Sequence, residues 1–424
     1  MNEETGASQV LDERHAKPPT SVGRPWWPPL TEEEGLLHTP AFEDFEDPHF
    51  GRAGHGERPR LAGRGPLGAD ARWMRPAECL DPEAVLFASG EAFSYRRSDV
   101  VDSSGFLAAL AAMSTRAALV LRLFESVKHA GQGMYTLSFY AGGAWVPVLV
   151  DTLLPCGENG LPLCTTAVPA TSYGVPLLEK GFAKLLGGYS ALARASVDDA
   201  LVALTGGSVQ RQVLSDAELA ERAAAGDLVR DLRHALAQGD LVVLQASARR
   251  KEALELRGKT LQGLRAGEPY VLLGFAVVGS AAFARVYSPW GATPWTGPWG
   301  PTSPEWTAEP ERASRLRREA LHSFAQGEWW MPAAALQVFD ERVICRLFAE
   351  TPHYTARADA WTRATAGGAP QPGTYGELQV LGAGMWASNP QFALQIDDFR
   401  AQAVEVTISL LQDTAGAADG PASA

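Results

Sequence analysis

The feature that most constrains this chain is a run of apolar residues, Phe106-Leu107-Ala108-Ala109-Leu110-Ala111-Ala112-Met113, followed shortly by Leu119-Val120-Leu121-Arg122-Leu123-Phe124. It contains no Gly or Pro and is rich in residues that lose little entropy on entering a helix. A helix that is apolar on every side has no face to offer water, so the run predicts one or two buried helices. Asp102, Ser103 and Ser104 stand just upstream, where a side-chain oxygen can accept from the unpaired N–H groups of the first turn.

With 424 residues the chain has room for two or three compact units. Its 46% hydrophobic and 20% charged residues are ordinary for a globular protein. No stretch reaches the roughly eighteen uncharged apolar residues of a membrane span. The acidic start, Met1-Asn2-Glu3-Glu4, is unlike a signal peptide, and neither end carries a lipidation pattern, so a cytoplasmic protein is expected. The net charge is -12, and in residues 1–50 eleven Asp/Glu face only three Lys/Arg, which argues against a nucleic-acid partner. Cys79, Cys156, Cys164 and Cys345 are scattered without zinc-knuckle spacing and are expected to be reduced thiols.

Residues 1–24 are polar and are expected to form a flexible tail. Beyond Trp26-Trp27-Pro28-Pro29, aromatic residues among prolines and charges suggest an irregular segment wrapping over a core. Tyr135–Tyr140, a Gly142-Gly143 turn and Trp145–Asp151 predict a hairpin, and Leu177–Leu186 a helix ending at Gly187-Gly188. A helical stretch near Asp216–Gln238 precedes strands at Leu241–Leu244, Tyr270–Val278 and Ala282–Tyr287. Arg312–Phe324 suggests a basic, exposed connecting helix. From Trp329 on, short apolar runs such as Val343–Phe348, Gly376–Leu381, Phe392–Ile396 and Val404–Leu411 have the rhythm of a β-sandwich.

Four stretches, in order, resemble landmarks of the calpains (family C2 cysteine proteases): Trp73-Met74-Arg75-Pro76-Ala77-Glu78, Phe106–Leu110, Leu177-Leu178-Glu179-Lys180 with Ala183-Lys184-Leu185, and Leu204-Thr205-Gly206-Gly207. Arg285-Val286-Tyr287-Ser288-Pro289-Trp290-Gly291, with Trp295, Trp299 and Trp306 behind it, is similar to the family's asparagine-bearing loop. Trp329-Trp330-Met331, Asn389-Pro390-Gln391-Phe392 and Ile408–Gln412 resemble the β-sandwich that follows a calpain core. The resemblance implies an α+β fold: a two-lobed papain-like calpain protease core, with a helical lobe and a β-rich lobe, then a C2-like antiparallel β-sandwich. It divides the chain into a tail (1–24), the helical lobe with its N-terminal wrap (25–190), the β-rich lobe (191–311), a linker helix (312–328), the sandwich (329–413) and a second tail (414–424).

The resemblance also places the reactive positions. The nucleophilic cysteine falls on Ser104, the tryptophan after it on Gly105, the oxyanion-hole glutamine on Ser98, the histidine base on Phe275 and its orienting asparagine on Ser288. A serine hydroxyl needs an adjacent base to attack a carbonyl, and a phenyl ring cannot take a proton. No catalytic residue is therefore expected, and Ser103-Ser104 reads as helix capping. His129, His234, His322 and His353 lie outside the matched motifs and read as surface or packing residues. Acidic positions that hold calcium in the family fall on Pro294 and Pro301, with Ser190 after Tyr189. No metal or other cofactor is thus expected, and calcium switching should be impaired. Asp397-Asp398, Glu32-Glu33-Glu34 and the acidic residues Glu43, Asp44, Glu46 and Asp47 read as solvated charge. Trp290, Trp295, Trp299 and Trp306 read as packing.

The function these readings imply is that of an inactive calpain-like scaffold or regulator, similar to the degenerate calpain-like proteins of kinetoplastids, at the cytoskeleton or membrane cortex. Its partners would be cytoskeletal proteins or another calpain-like protein, with a membrane surface contacted through the sandwich. The alternative is a calcium-dependent endopeptidase that uses Ser103 or Ser104 with a base from elsewhere.

Overall fold

In the computed structural model, which describes residues 45–51, 66–68, 70–87, 95–168, 170–289, 295–319 and 327–347, the apolar run folds as a helix whose residues Gly105–Met113 are all buried. In chain order the first part holds β1 (Arg72–Met74), α1 (Pro76–Cys79), β2 (Tyr95–Arg96), α2 (Ser104–Ser114), α3 (Ala117–Leu121), β3 (Phe124–Ser126), β4 (Met134–Ala141), β5 (Ala144–Asp151), β6 (Leu154–Cys156), β7 (Thr166–Ala167), α4 (Gly174–Leu186), α5 (Tyr189–Leu192) and α6 (Val197–Thr205). The second part holds β8 (Ser208–Val213), α7 (Asp216–Ala224), α8 (Asp227–Ala237), β9 (Leu241–Gln245), α9 (Ala248–Glu255), β10 (Pro269–Val278), β11 (Ala281–Tyr287), α10 (Glu305–Ala308), α11 (Pro310–Glu319), β12 (Glu328–Pro332) and β13 (Glu341–Arg346). The mixture of helix and strand is that of an α+β fold.

Helix α2 packs against α6 on one side and strands β9 and β10 on the other. Phe106 stacks on Phe182 of α4 with centroids 5.3 Å apart, and Phe182 in turn meets Phe139 of β4. Strands β4 and β5 form the expected hairpin; its turn is Gly142-Gly143, both at positive φ, where a side chain would be strained. Helix α4 ends at Gly187 in the left-handed conformation, which lets its N–H close the last turn without a Cβ penalty.

The second part is built on an antiparallel sheet in the order β12-β11-β10-β9-β13-β8. Alternation along its strands sends side chains to two cores. Val243, Val271 and Val343 join the core around α2, whereas Val242, Leu244 and Leu272 join a second core under α7, α8 and the loops beyond α9. The sheet is therefore shared, and it fixes the second part against α2.

Three expectations about domain layout change. Trp329-Trp330-Met331 was assigned to the sandwich, yet it forms β12 and pairs with Val286, Arg285 and Ala284 of β11. Val343 belongs to β13, which lies between β9 and β8. A short apolar run shows that a strand forms, not which sheet it joins, because pairing depends on distant residues. Helix α11 is likewise not a freely exposed connector. Its Ala313 and Leu316 are buried, Arg312 covers the Phe283 ring and Arg317 the Trp306 ring, with only its polar side facing water. Helix α6, placed in the β-rich lobe, buries Ala200, Leu201 and Leu204 in the core around α2. The two tails, the sandwich landmarks from Gly376 on, Asp397-Asp398, Trp290, Pro294, His322 and His353 lie outside the described residues. Among the described residues no helix is long and apolar enough to cross a membrane.

A buried charge network ties the first part together. Lys180 of α4 is fully buried and pairs with Asp151 at the end of β5, while its ammonium also donates to Leu153 O at 2.7 Å and lies 5.2 Å from the Trp73 ring centre. Asp151 Oδ2 accepts the Asp47 N–H at 2.6 Å, and Asp47 itself pairs with Lys184 at 2.5 Å. Asp47 is thus a buried ion-pair member and not the solvated charge its acidic neighbourhood suggests. Removing one partner of a buried pair strands the other charge, so Lys180→Met should destabilise the chain by about 3–5 kcal/mol. Arg211→Ala should cost under about 1 kcal/mol, because Arg211 meets Asp198 and Glu341 at the surface. Urea unfolding of the two variants beside the parent chain checks both.

Candidate active site

The site is built around the first turn of α2. Ser103 is the N-cap residue, but its hydroxyl does not cap the helix. It is buried and donates to Glu179 Oε1 at 2.5 Å. Thr165 donates to the same carboxylate twice, through Oγ1 at 2.6 Å and through its backbone N–H at 2.8 Å. Burial pushes the Glu179 carboxyl above its ordinary range, and the hydrogen bonds from Ser103 and Thr165 oppose that rise. The capping acceptor is Asp102, whose Oδ1 takes the Ser104 N–H at 3.1 Å and the Ser104 hydroxyl at 2.5 Å. Arg97 stands 3.6 Å from the same oxygen.

Of the two serines, then, only Ser104 is partly open to solvent, at the positive end of an eleven-residue helix. Gly105 after it touches the chain entering α6, so that a Cβ there would collide with the Ala195 carbonyl oxygen and the Ser196 backbone. Ser98 is held by three bonds: its hydroxyl donates to Leu163 O and accepts from the N–H groups of Val100 at 3.0 Å and Val101 at 2.9 Å. A hydroxyl has one proton, and here that proton serves the loop rather than an oxyanion.

Phe275 lies on β10 opposite Ala284 of β11. A register shift between Leu272 and Gly274 puts Phe275, in place of Gly274, on the same face as Leu272. Its half-buried ring packs there against the second core. Ser288 is buried just beyond β11, and its N–H donates to Gly327 O at 2.8 Å. Among the described residues no hydrogen bond joins Ser104 to Phe275 or Ser288. His129 precedes a 3-10 turn and His234 lies on the last turn of α8, away from α2.

The positions proposed for calcium fit that ion poorly. Calcium takes six to eight oxygens, largely from carboxylates and carbonyls. Pro301 has no side-chain donor, Ser190 offers a hydroxyl, and the neighbouring Tyr189 is buried against Phe50 and Trp73. Among the described residues there is no group of three or more His, Cys, Asp or Glu side chains that could hold a metal ion. The tryptophans Trp295, Trp299 and Trp306 pack as the sequence suggests: Trp299 meets Phe283 at 5.3 Å and Trp306 at 5.1 Å, and the Trp295 and Trp306 N–H groups donate to Pro298 O and Gly300 O.

The residues that sequence reasoning left without a role are Glu179, Thr165 and Asp151. Their signal was an adjacent Glu179-Lys180 pair within an otherwise apolar helix, since two neighbouring charges on a buried helix require partners on two sides. Ser103→Ala should therefore cost about 1–3 kcal/mol, by leaving a buried carboxylate short of a donor, and Ser104→Ala less than about 1 kcal/mol. Because the folded Glu179 already holds its proton to higher pH than the unfolded chain, stability from this group is greatest below the unfolded pKa and falls as pH rises through the raised one. Removing the Ser103 donor widens that window, so the Tm deficit of Ser103→Ala should grow from pH 4 to pH 7. Thermal unfolding of parent and variant across that range tests the sign.

Comparison with known proteins agrees with this architecture. Residues 45–346 match the family model described as calpain family cysteine protease, ending where β13 ends. The chain is similar to the calpain-type cysteine protease DEK1 of Arabidopsis thaliana, at 29% identity across 81% of this chain and 15% of that protein. It is also similar to calpain-5 of Rattus norvegicus, at 29% identity across 77% of this chain and 52% of that one. With calpain-12 of Homo sapiens it shares 31% identity across 83% of its own length and 48% of the relative's. It thus spans about half the length of these animal relatives and a smaller share of the plant one. A family match over residues 45–346, most of the chain, places this protein in the calpain family of cysteine proteases.

Proposed function

We propose that this chain is a catalytically inactive calpain that acts as a binding scaffold or regulator in the cytoplasm, at the cytoskeleton or membrane cortex. One observation carries the reading: among the described residues the Ser104 hydroxyl has one hydrogen-bond partner, the Asp102 carboxylate, which also takes the Ser104 N–H as a helix cap. Acyl transfer by serine needs a positioned general base, and Asp102 is already engaged as the acceptor that caps α2. The base position holds Phe275, packed into the second core, and the oxyanion position holds Ser98, whose proton is already donated. Loss of a nucleophile or its base from such a unit lowers kcat by on the order of 10⁶. What remains is the calpain frame, with α2 seated on the shared sheet as a surface for a partner. Its partner is a protein, either cytoskeletal or an active calpain that it modulates, and a sandwich after residue 346 contacts the membrane surface.

The second reading, a retained calcium-dependent endopeptidase, is favoured by the 2.5 Å contact between Ser104 and Asp102. It would use Ser104, since Ser103 is buried. The two readings separate in a cleavage assay on an unfolded protein substrate, with and without millimolar calcium, comparing the chain with Ser104→Ala. The scaffold reading expects both to be equally silent at either calcium level. Calcium-stimulated cleavage by the parent chain that disappears in Ser104→Ala would overturn it.

A further inference from the structure

Three of the four cysteines, far apart in sequence, meet in the first part of the fold. Strand β1 pairs antiparallel with β6, with Arg72 opposite Cys156 and Met74 opposite Leu154. The chain leaves β1 through Arg75 and turns at once into α1, whose last residue is Cys79. This short return brings the Cys79 thiol into hydrogen-bond contact with that of Cys156, and Cys164 interacts electrostatically with both. Cys156 and Cys164 are buried, whereas Cys79 is partly open to solvent. Only one member of the cluster is thus accessible to a reagent, and a second thiol touches it.

We propose that Cys79 and Cys156 form an oxidisable pair, with a peroxide as the reagent and a reversible Cys79–Cys156 disulfide as the product. The Cys79 sulfur attacks one peroxide oxygen, the O–O bond breaks, and the second oxygen leaves as water with the thiol proton; Cys79 is then a sulfenic acid. The Cys156 sulfur attacks Cys79 Sγ, the S–O bond breaks, and the hydroxyl leaves as water with the Cys156 proton. Two thiols lose two electrons, and one hydrogen peroxide becomes two waters. Cys79 alone of the three is partly open to solvent, so the peroxide meets it first; the hydrogen bond with Cys79, then burial, raises the Cys156 thiol, and that same contact sets Cys156 beside the sulfenic acid it resolves.

The placement gives the bond a consequence. Strand β6 runs on from Cys156 into the loop that carries Leu163, which accepts the Ser98 hydroxyl, and Thr165, which holds Glu179 and through it Ser103. Helix α1 follows directly on Arg75, whose guanidinium donates to Phe45 O at 2.7 Å and Thr152 Oγ1 at 2.8 Å. A disulfide would therefore fasten the two sides of this part, closing a loop that contains all of α2.

The test uses the full chain, treated with hydrogen peroxide, digested without reductant and mapped by mass spectrometry, with Tm measured before and after. The expected result is a linked peptide joining Cys79 to Cys156, a Tm raised by several degrees, and return of both to their starting state on adding dithiothreitol. Cys79→Ser should abolish the link and the Tm rise, and Cys164→Ser should leave both in place. Should Cys79 run on to sulfinic acid with Cys156 still a free thiol, or link to Cys164 instead, the proposal fails. A Tm rise that persists in Cys79→Ser would also defeat it.

Discussion

The contact on which the first part of this fold depends is the buried pair between Lys180 and Asp151. Taking two opposite charges out of water is costly, and their attraction offsets the cost only when the remaining donors and acceptors are also satisfied. Here they are. Asp151 Oδ1 receives Lys180 and the Leu153 N–H at 2.8 Å, and Oδ2 receives the Asp47 N–H. The ammonium reaches two carbonyls besides and faces the Trp73 ring. Burial pushes the Lys180 ammonium below its ordinary range, while the charge and hydrogen bond of Asp151 act against that shift. Asp47 carries the network outward, since its second carboxylate oxygen pairs with Lys184 and its first caps the His49 and Phe50 N–H groups. One cluster thereby sets the path of the chain before β1, the corner between β5 and β6, and the rotation of α4.

That rotation decides what happens at α2. With Lys180 turned toward the β5–β6 corner, its neighbour Glu179 faces the start of α2 and collects Ser103 and Thr165. The start of α2 is therefore held by Glu179 and Thr165 through Ser103, and not by Ser104, Phe275 or Ser288. The side chains of Ser104, Phe275 and Ser288 take no part in the charge network, and Ser98 serves only its own loop. A frame supported in this way does not draw its geometry from the side chains at those positions, so the calpain fold does not depend on which residues stand there.

What could be read from the sequence follows the range of the forces involved. The α2 run, the β4–β5 hairpin and the end of α4 at Gly187 are set by neighbours within a few residues, and they stand where the pattern puts them. Strand β8, Ser208-Val209-Gln210-Arg211-Gln212-Val213, has almost no apolar signal and exists because β13 pairs with it across more than a hundred residues. Helix α9 is strongly polar, yet Ser247 caps it and Arg250 and Leu254 bury against the second core. Asp47 looked like one more charge in an acidic run until Lys184, far along the chain, was placed beside it. At the site, the family resemblance assigns roles to Ser104, Phe275 and Ser288, and the fold places Ser104 on the first turn of α2, Phe275 on β10 and Ser288 just beyond β11. The partner of Ser103 could not be found that way, because Glu179 was visible only as part of a motif.

Gly105 shows that the difference at this site extends beyond its reagents. Where the family resemblance calls for a tryptophan, the space a side chain would need is filled by the backbone of Ala195 and Ser196. Those residues lead into α6, where Ser196 and Asp199 cap each other's backbone N–H groups and so fix the first turn firmly. Interiors pack at the density of organic crystals, so an indole and this turn cannot occupy the same place. The start of α6 lies directly on Gly105, and that contact is part of how the two helices pack. A side chain placed at Gly105 would therefore have to displace the entry to α6, whatever stands at Ser104 and Phe275.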